Sequence, residues 1–370
     1  MAYLNITGAE TGDFSEASGT AGTVDVSTTH VRTGTYAYHL GASATSDAID
    51  FRALAASGVP ANLAATPFTT CYIYVGTLPS NSINTFYFGF YAGASGANKC
   101  MAYKIATDGK ILDTQNGNAD TGFTVATGQF YRFELSASNA GTCGLKMNGS
   151  AEYTSTGAAQ NPNYFSLVSG ANTSEVWVDD IAISDSAYPG AGEVHMSVPI
   201  GAGNYAAWST GAYTDVDEVP HDSGTTVIVS GTGAGLLADT YDMQTAATAG
   251  IVGTIATVKL LAIMNEAAST TTSGGIRLRS ATTDADTTTV DIGNTTYVPI
   301  AKLWDTDPAD AAAWTSTKYD AIEGGVYRAA ADTSSIQATA IYVMVWCTGA
   351  TPAMLFPKIS RVAVRRASYH

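Results

Sequence analysis

The chain has 370 residues, too many for one small core and enough for two domains of the ordinary size of about 100–200 residues. Charged side chains make up only 13% and the formal net charge is −15, so the surface must come largely from Thr, Ser, Asn and Gly. The cation clusters that nucleic-acid binding needs are missing, no run approaches the about 18 apolar residues of a membrane-crossing helix, and residues 1–16 lack the pattern of a secretory signal.

The 37 Gly and 20 Tyr, with abundant Thr, favour pleated strands joined by frequent turns. In the first half the alternation is clear. Phe86, Phe88 and Phe90 share one face of a strand, with Tyr87, Gly89 and Tyr91 on the other. Tyr131, Phe133 and Leu135 alternate with Arg132, Glu134 and Ser136, which predicts a core face and a wet face. Leu145, Lys146 and Met147 lead into Asn148–Gly149, a dipeptide suited to positive φ at both centres of a tight turn; it predicts a hairpin pairing Gly144–Met147 with Ala151–Thr154. The run Val176–Ser184 closes this half, with a bulge expected at Asp179 and Asp180.

Tyr188, Pro189, Gly190, Ala191 and Gly192 then combine a strand stop with low side-chain order, which predicts an exposed linker over 188–196 and domains at 1–190 and 191–370. Further strands are expected at Thr225–Ser230, Ala256–Met264, Gly275–Thr282, Thr296–Leu303, Ala338–Trp346 and Ile359–Arg366. A short helix is expected at Thr317–Glu323, capped by Thr315 or Ser316 and stopped by Gly324. The predicted fold is therefore all-β, with two antiparallel, jelly-roll-like β-sandwich domains in tandem.

Between Lys146 and Lys259 there is no Lys or Arg but twelve acids, whereas Lys358, Arg361, Arg365 and Arg366 sit in an acid-free tail. This segregation predicts assembly contacts at Arg361, Arg365 and Arg366 against an acidic surface drawn from the Met147–Val258 interval. Cys71, Cys100, Cys143 and Cys347 have none of the spacings of a zinc or redox site and read as buried thiols; a disulfide among the first three stays open, conditional on an oxidising medium.

The order of Gly8–Phe14, Val31–Ala37, Phe130–Leu135, Leu145–Gly149 and Val176–Ile181 resembles the concanavalin A-like or laminin G-like jelly rolls. Trp208 with Val216–Pro220, Trp314 with Tyr319–Val326, and Ala340–Val345 are similar to a module of structural head and tail proteins of tailed bacteriophages. These resemblances imply a structural, non-enzymatic virion protein, made in a host cytoplasm and partnered by other virion proteins or copies of itself. The alternative they imply is a glycan-binding adhesin that uses the first jelly roll on cell-surface glycans.

A glycosidase needs two carboxyls about 5–5.5 Å apart if retaining or about 6.5–9.5 Å apart if inverting, which in jelly-roll enzymes resembles a strand carrying two Glu around a central Asp, and no such string exists in this sequence. Asp215–Glu218 reads as a solvated turn or strand end. Glu175, Asp179 and Asp180 beside Trp177 fit a strand with a bulge, with a calcium site or sugar platform as the alternative. The five histidines lie far apart, and Gly231–Gly235 lacks the Lys of a phosphate loop. The expectation is therefore no catalytic residue, no cofactor, no metal, no nucleic acid and no membrane insertion.

Overall fold

The computed structural model describes residues 1–43, 45–81, 85–171, 174–232, 235–266, 272–292, 296–329 and 334–349. They form four large antiparallel sheets and one two-stranded ribbon. An eight-stranded sheet is centred on Phe68–Thr77, between Phe130–Ala137 and Glu175–Ser184, and faces a seven-stranded sheet centred on Phe86–Tyr91. From Gly192 onward every strand belongs to two other sheets. A five-stranded one is centred on Thr254–Glu266 and Ile336–Thr348, and a six-stranded one on Ile322–Arg328.

Each facing pair encloses a core. Phe86, Phe88 and Phe90 are fully buried with Phe133, Leu135 and Phe165 in the first, so the alternation that marks these strands also packs them. The hairpin forms as its turn dipeptide requires. Asn148 and Gly149 have φ of 52° and 76°, Ser150 N–H donates to the Met147 carbonyl at 3.0 Å, and Gly144 pairs with Thr154.

A third apolar cluster joins the two pairs of sheets. Even-numbered Ala340, Tyr342, Met344 and Trp346 face Tyr3, Ile6, Tyr72 and Ala182, while odd-numbered Ile341, Val343, Val345 and Cys347 enter the second core. The Ile336–Thr348 strand is thus apolar on both faces because both are covered. Thr254–Glu266 does the same, with Leu260 and Ala262 in the core and Leu261 and Ile263 in the seam. Lys259 lies on the seam side, fully enclosed. Its ammonium donates to Asn5 Oδ1 at 3.1 Å and the Ile6 carbonyl at 2.8 Å, and burial pushes the amine down to about 8.

Several expectations are corrected. Residues 188–196 are no exposed linker: Pro189, Gly192, Glu193 and Val194 are buried, and Gly192–Ser197 is a strand paired with Ile336–Thr348. The seam and that pairing take up the chain the moment it changes sheets. The face opposite Phe133 is wet only in part, with Arg132 and Ser136 half-buried. Glu134 is only 5% exposed, pairs with Arg132 at 3.2 Å, and lies close to Tyr188, whose hydroxyl donates to Glu152 Oε1 at 2.7 Å.

The helix is a single turn, Ser316–Tyr319, capped by Thr315 as expected, but Gly324 does not stop it. Gly324 and Gly325 lie inside the Ile322–Arg328 strand, where a Cβ on Gly325 would sit 2.1 Å from the Asp239 carbonyl. Close backbone approach, not a turn, requires glycine there. The strand expected at Thr225–Ser230 shortens to Ile228–Val229, because Thr225 and Thr226 instead give their backbone N–H groups to the Asp222 carboxylate. Ile359–Arg366, including Arg361, Arg365 and Arg366, lies outside the described residues, as do residues 233 and 234 of the Gly231–Gly235 loop. No helix among the described residues is long and apolar enough to cross a membrane.

Candidate functional site

The Glu175–Ser184 strand positions most of the candidate chemistry. One edge pairs with Phe68–Thr77, and the other changes partner, from Ala37–Leu40 at Val176–Val178 to Tyr3–Thr7 at Ile181–Ser184. The change occurs at a bulge, where Asp180 takes φ +47° and the register skips between Asp179 and Ala182. This is the bulge expected at the two aspartates.

Both aspartates turn into protein. Asp180 accepts from the Thr33 hydroxyl and the Val194 N–H, each at 2.6 Å, and from the Arg32 guanidinium. Asp179 accepts from the Arg32 N–H at 2.8 Å and the Asp180 N–H at 2.7 Å. Arg32 also donates to the Gly192 carbonyl at 3.0 Å and lies 3.6 Å over the Tyr72 ring. Burial, then the neighbouring Asp180, pushes Asp179 well above the usual carboxylate range; Asp180 is raised by burial against the pull of Arg32. With all four oxygens engaged, the pair ties the first sheet to the strand that begins at Gly192. Glu175 is half-buried at the strand's far end, opposite Thr77, so the three acids do not converge. No His, Cys, Asp or Glu cluster among the described residues could hold a metal ion.

The same strand carries an aromatic row on the outer face of its sheet. Phe130 pairs with Tyr74, Tyr74 with Trp177, Trp177 with His39 and His39 with Asp25, so five strands place these side chains side by side. His39 stacks on Trp177 at 4.3 Å and its Nδ1–H donates to the Asp25 carboxylate at 2.6 Å. His30 stacks on Tyr74 at 4.0 Å and meets the edge of Trp177 at 4.4 Å. Trp177 is 5% exposed, while His30, His39, Tyr74 and Phe130 are half-buried. The buried Trp177 Nε1 and His39 Nε2 have no hydrogen-bond partner. The seam covers the neighbouring Tyr72 and packs against Phe130, while His30, His39 and Tyr74 stay half-buried at the surface.

Sequence spacing did not unite His30 and His39, since neither is near the other or Trp177 along the chain. The one available signal was the alternation Tyr72–Ile73–Tyr74–Val75, which places two tyrosines on the face away from the core.

Asp215–Glu218 is engaged in local structure: Asp215 Oδ2 accepts from Ala212 N–H at 2.7 Å, the Val216 carbonyl accepts from Ile341 N–H at 3.0 Å, and Glu218 accepts from the Thr226 hydroxyl at 2.6 Å. The acidic interval does not form one acidic surface, because Asp179, Asp180, Glu193 and Asp239 are buried. All four cysteines are free and buried, with Cys100 and Cys143 pushed up to about 11 by burial.

No protein-family model and no curated protein sequence matches the chain. Among solved structures, domain 4 of AbnA, a GH43 extracellular arabinanase from Geobacillus stearothermophilus, in complex with arabinotriose, is similar over 50% of this chain and 93% of its own, at 16% identity and TM-score 0.35. The conserved carbohydrate esterase vb_24B_21 from the Shiga toxin-encoding bacteriophage phi24B is similar over 50% of this chain and 99% of its own, at 13% identity and TM-score 0.36. The cellulose induced protein Cip1 is similar over 49% and 90%, at 18% identity and TM-score 0.32. Likeness at this level assigns no function to the chain.

Proposed function

We propose that the chain is a non-catalytic glycan-recognition module, with residues 1–190 as the recognising domain and 191–370 as its support. The observation that carries this reading is the Phe130–Tyr74–Trp177–His39 row. Aromatic rings held in register on a rigid sheet, with Tyr74 and Phe130 half-buried, suit the apolar faces of sugar rings. A glycan array probed with the whole chain tests it. Binding that disappears in Tyr74→Ala is expected; no binding, or binding indifferent to Tyr74→Ala, overturns it.

A second reading, a structural component of a phage virion surface, draws on the seam. The apolar contact between the two pairs of sheets gives a body suited to repeated contacts, and its hydroxyl-rich surface loses little side-chain entropy on being ordered. Immunogold labelling of particles from the native source would place the chain on their surface, and unlabelled particles would refute that reading. The two readings are compatible.

A further inference from the structure

Between the two pairs of sheets, away from the aromatic row, lies a cleft of about 470 Å³. The first domain contributes Glu10, Gly34, Thr35 and Tyr36; the second contributes His195, Val198, Gln244 and Thr248 among others. Gly34, at φ +65°, makes room for the Glu10 carboxyl, since a Cβ there would lie 2.1 Å from Glu10 Oε2. Glu10 is only 4% exposed. Its Oε2 accepts from the Thr35 N–H at 3.0 Å, and its Oε1 is buried without a hydrogen-bond partner. On the opposite wall stands the half-buried His195, whose Nε2 faces Glu193 Oε1 at 3.6 Å.

A buried polar atom left unpaired is costly, and Glu10 Oε1, on a residue that lines a cleft of ligand size, marks a site completed by something else. We propose that this cleft binds an uncharged, polyhydroxylated ligand of monosaccharide size. The lining contains no Lys or Arg to hold an anion. Burial pushes Glu10 up to about 9, so at neutral pH it is a protonated donor and offers a cation no charge. Donors and acceptors on Glu10, Tyr36, His195, Gln244 and Thr248 match hydroxyl groups, while Val198 and Val219 supply an apolar wall. The site is independent of the aromatic row and stands whether or not that row binds glycans.

Saturation-transfer NMR and calorimetry on the whole chain test this with glucose, galactose, mannose, N-acetylglucosamine and glycerol as uncharged probes, and glucosamine and N-acetylneuraminic acid as charged ones. At least one uncharged probe should bind. Glu10→Gln, which keeps a neutral donor, should retain affinity within about threefold, whereas Glu10→Met should weaken it about tenfold, the usual effect of one lost hydrogen bond. His195→Leu provides the same loss from the other wall should Glu10→Met not fold. Tyr74→Ala should leave this binding unchanged, which separates it from recognition on the row. Absence of binding by every uncharged probe, tighter binding of a charged one, or indifference to both Glu10→Met and His195→Leu would overturn the proposal.

Discussion

Lys259 offers a direct measurement of how dry the seam is. Its amine falls from 10.5 to about 8 because burial disfavours the ammonium, which the Glu16 carboxylate and two neutral oxygens only partly compensate. Below about pH 8 folded and unfolded chains both carry this proton and the residue adds no pH dependence; between about 8 and 10.5 the unfolded chain keeps a proton that the folded chain has released, so the contribution of this residue to stability rises with pH. At about 1.4 kcal/mol per unit, the shift of 10.5 − 8 sets an upper bound of about 3 kcal/mol, of which about 2 kcal/mol develops by pH 9.5, before tyrosines ionise. Lys259→Met removes the titration while keeping the volume. Urea unfolding followed by tryptophan fluorescence at about pH 7.5, 8.5 and 9.5 should show the wild type gaining about 2 kcal/mol relative to the variant across the series. A difference that does not change with pH would mean that water reaches the ammonium, and the dry seam would be refuted.

Trp346→Ala empties the seam beside Gly192 and should cost about 3–5 kcal/mol; calorimetry should show the melting point fall and one transition broaden or split as the two pairs of sheets uncouple. Arg32→Met strands the Asp180 carboxylate and should cost about 3–5 kcal/mol at neutral pH. Since an unpaired buried carboxyl has a raised folded pKa, that deficit should shrink as pH falls toward the carboxylate range, which denaturation at two pH values checks. The four buried thiols should resist an aromatic disulfide reagent in the native protein and react together on unfolding; a fast-reacting thiol before unfolding would show that its strand opens locally.

What was legible in the sequence was local. Phe86, Phe88 and Phe90 alternate because one sheet face is core, and Asn148–Gly149 announces its turn through backbone preferences that need no partner. The two aspartates suggested a bulge because adjacent acids cannot both point to one face of a regular strand. The seam was not legible, since the apolar run Ala338–Trp346 announces a strand covered on both faces without naming the cover. Strands such as Pro199–Ala206 and Ile322–Arg328 were missed because their glycines read as turns until a neighbouring backbone explains them. The aromatic row and the cleft arise from residues far apart in the chain, and no local pattern brings Glu10 to His195.

The seam also dictates an order of events at the ribosome. Asn5 and Ile6 are held by Lys259, 254 and 253 positions later, and Tyr3 and Ile6 are covered by a cluster that includes the even-numbered side chains of Ile336–Thr348, the last strand among the described residues. The first two sheets can therefore close on their own core early in synthesis, but Tyr3, Ile6, Tyr72 and Ala182 stay uncovered until nearly the whole chain has emerged. For that interval the nascent protein carries a sticky apolar face, and a ribosome stalled short of residue 336 would release a half-product primed to aggregate.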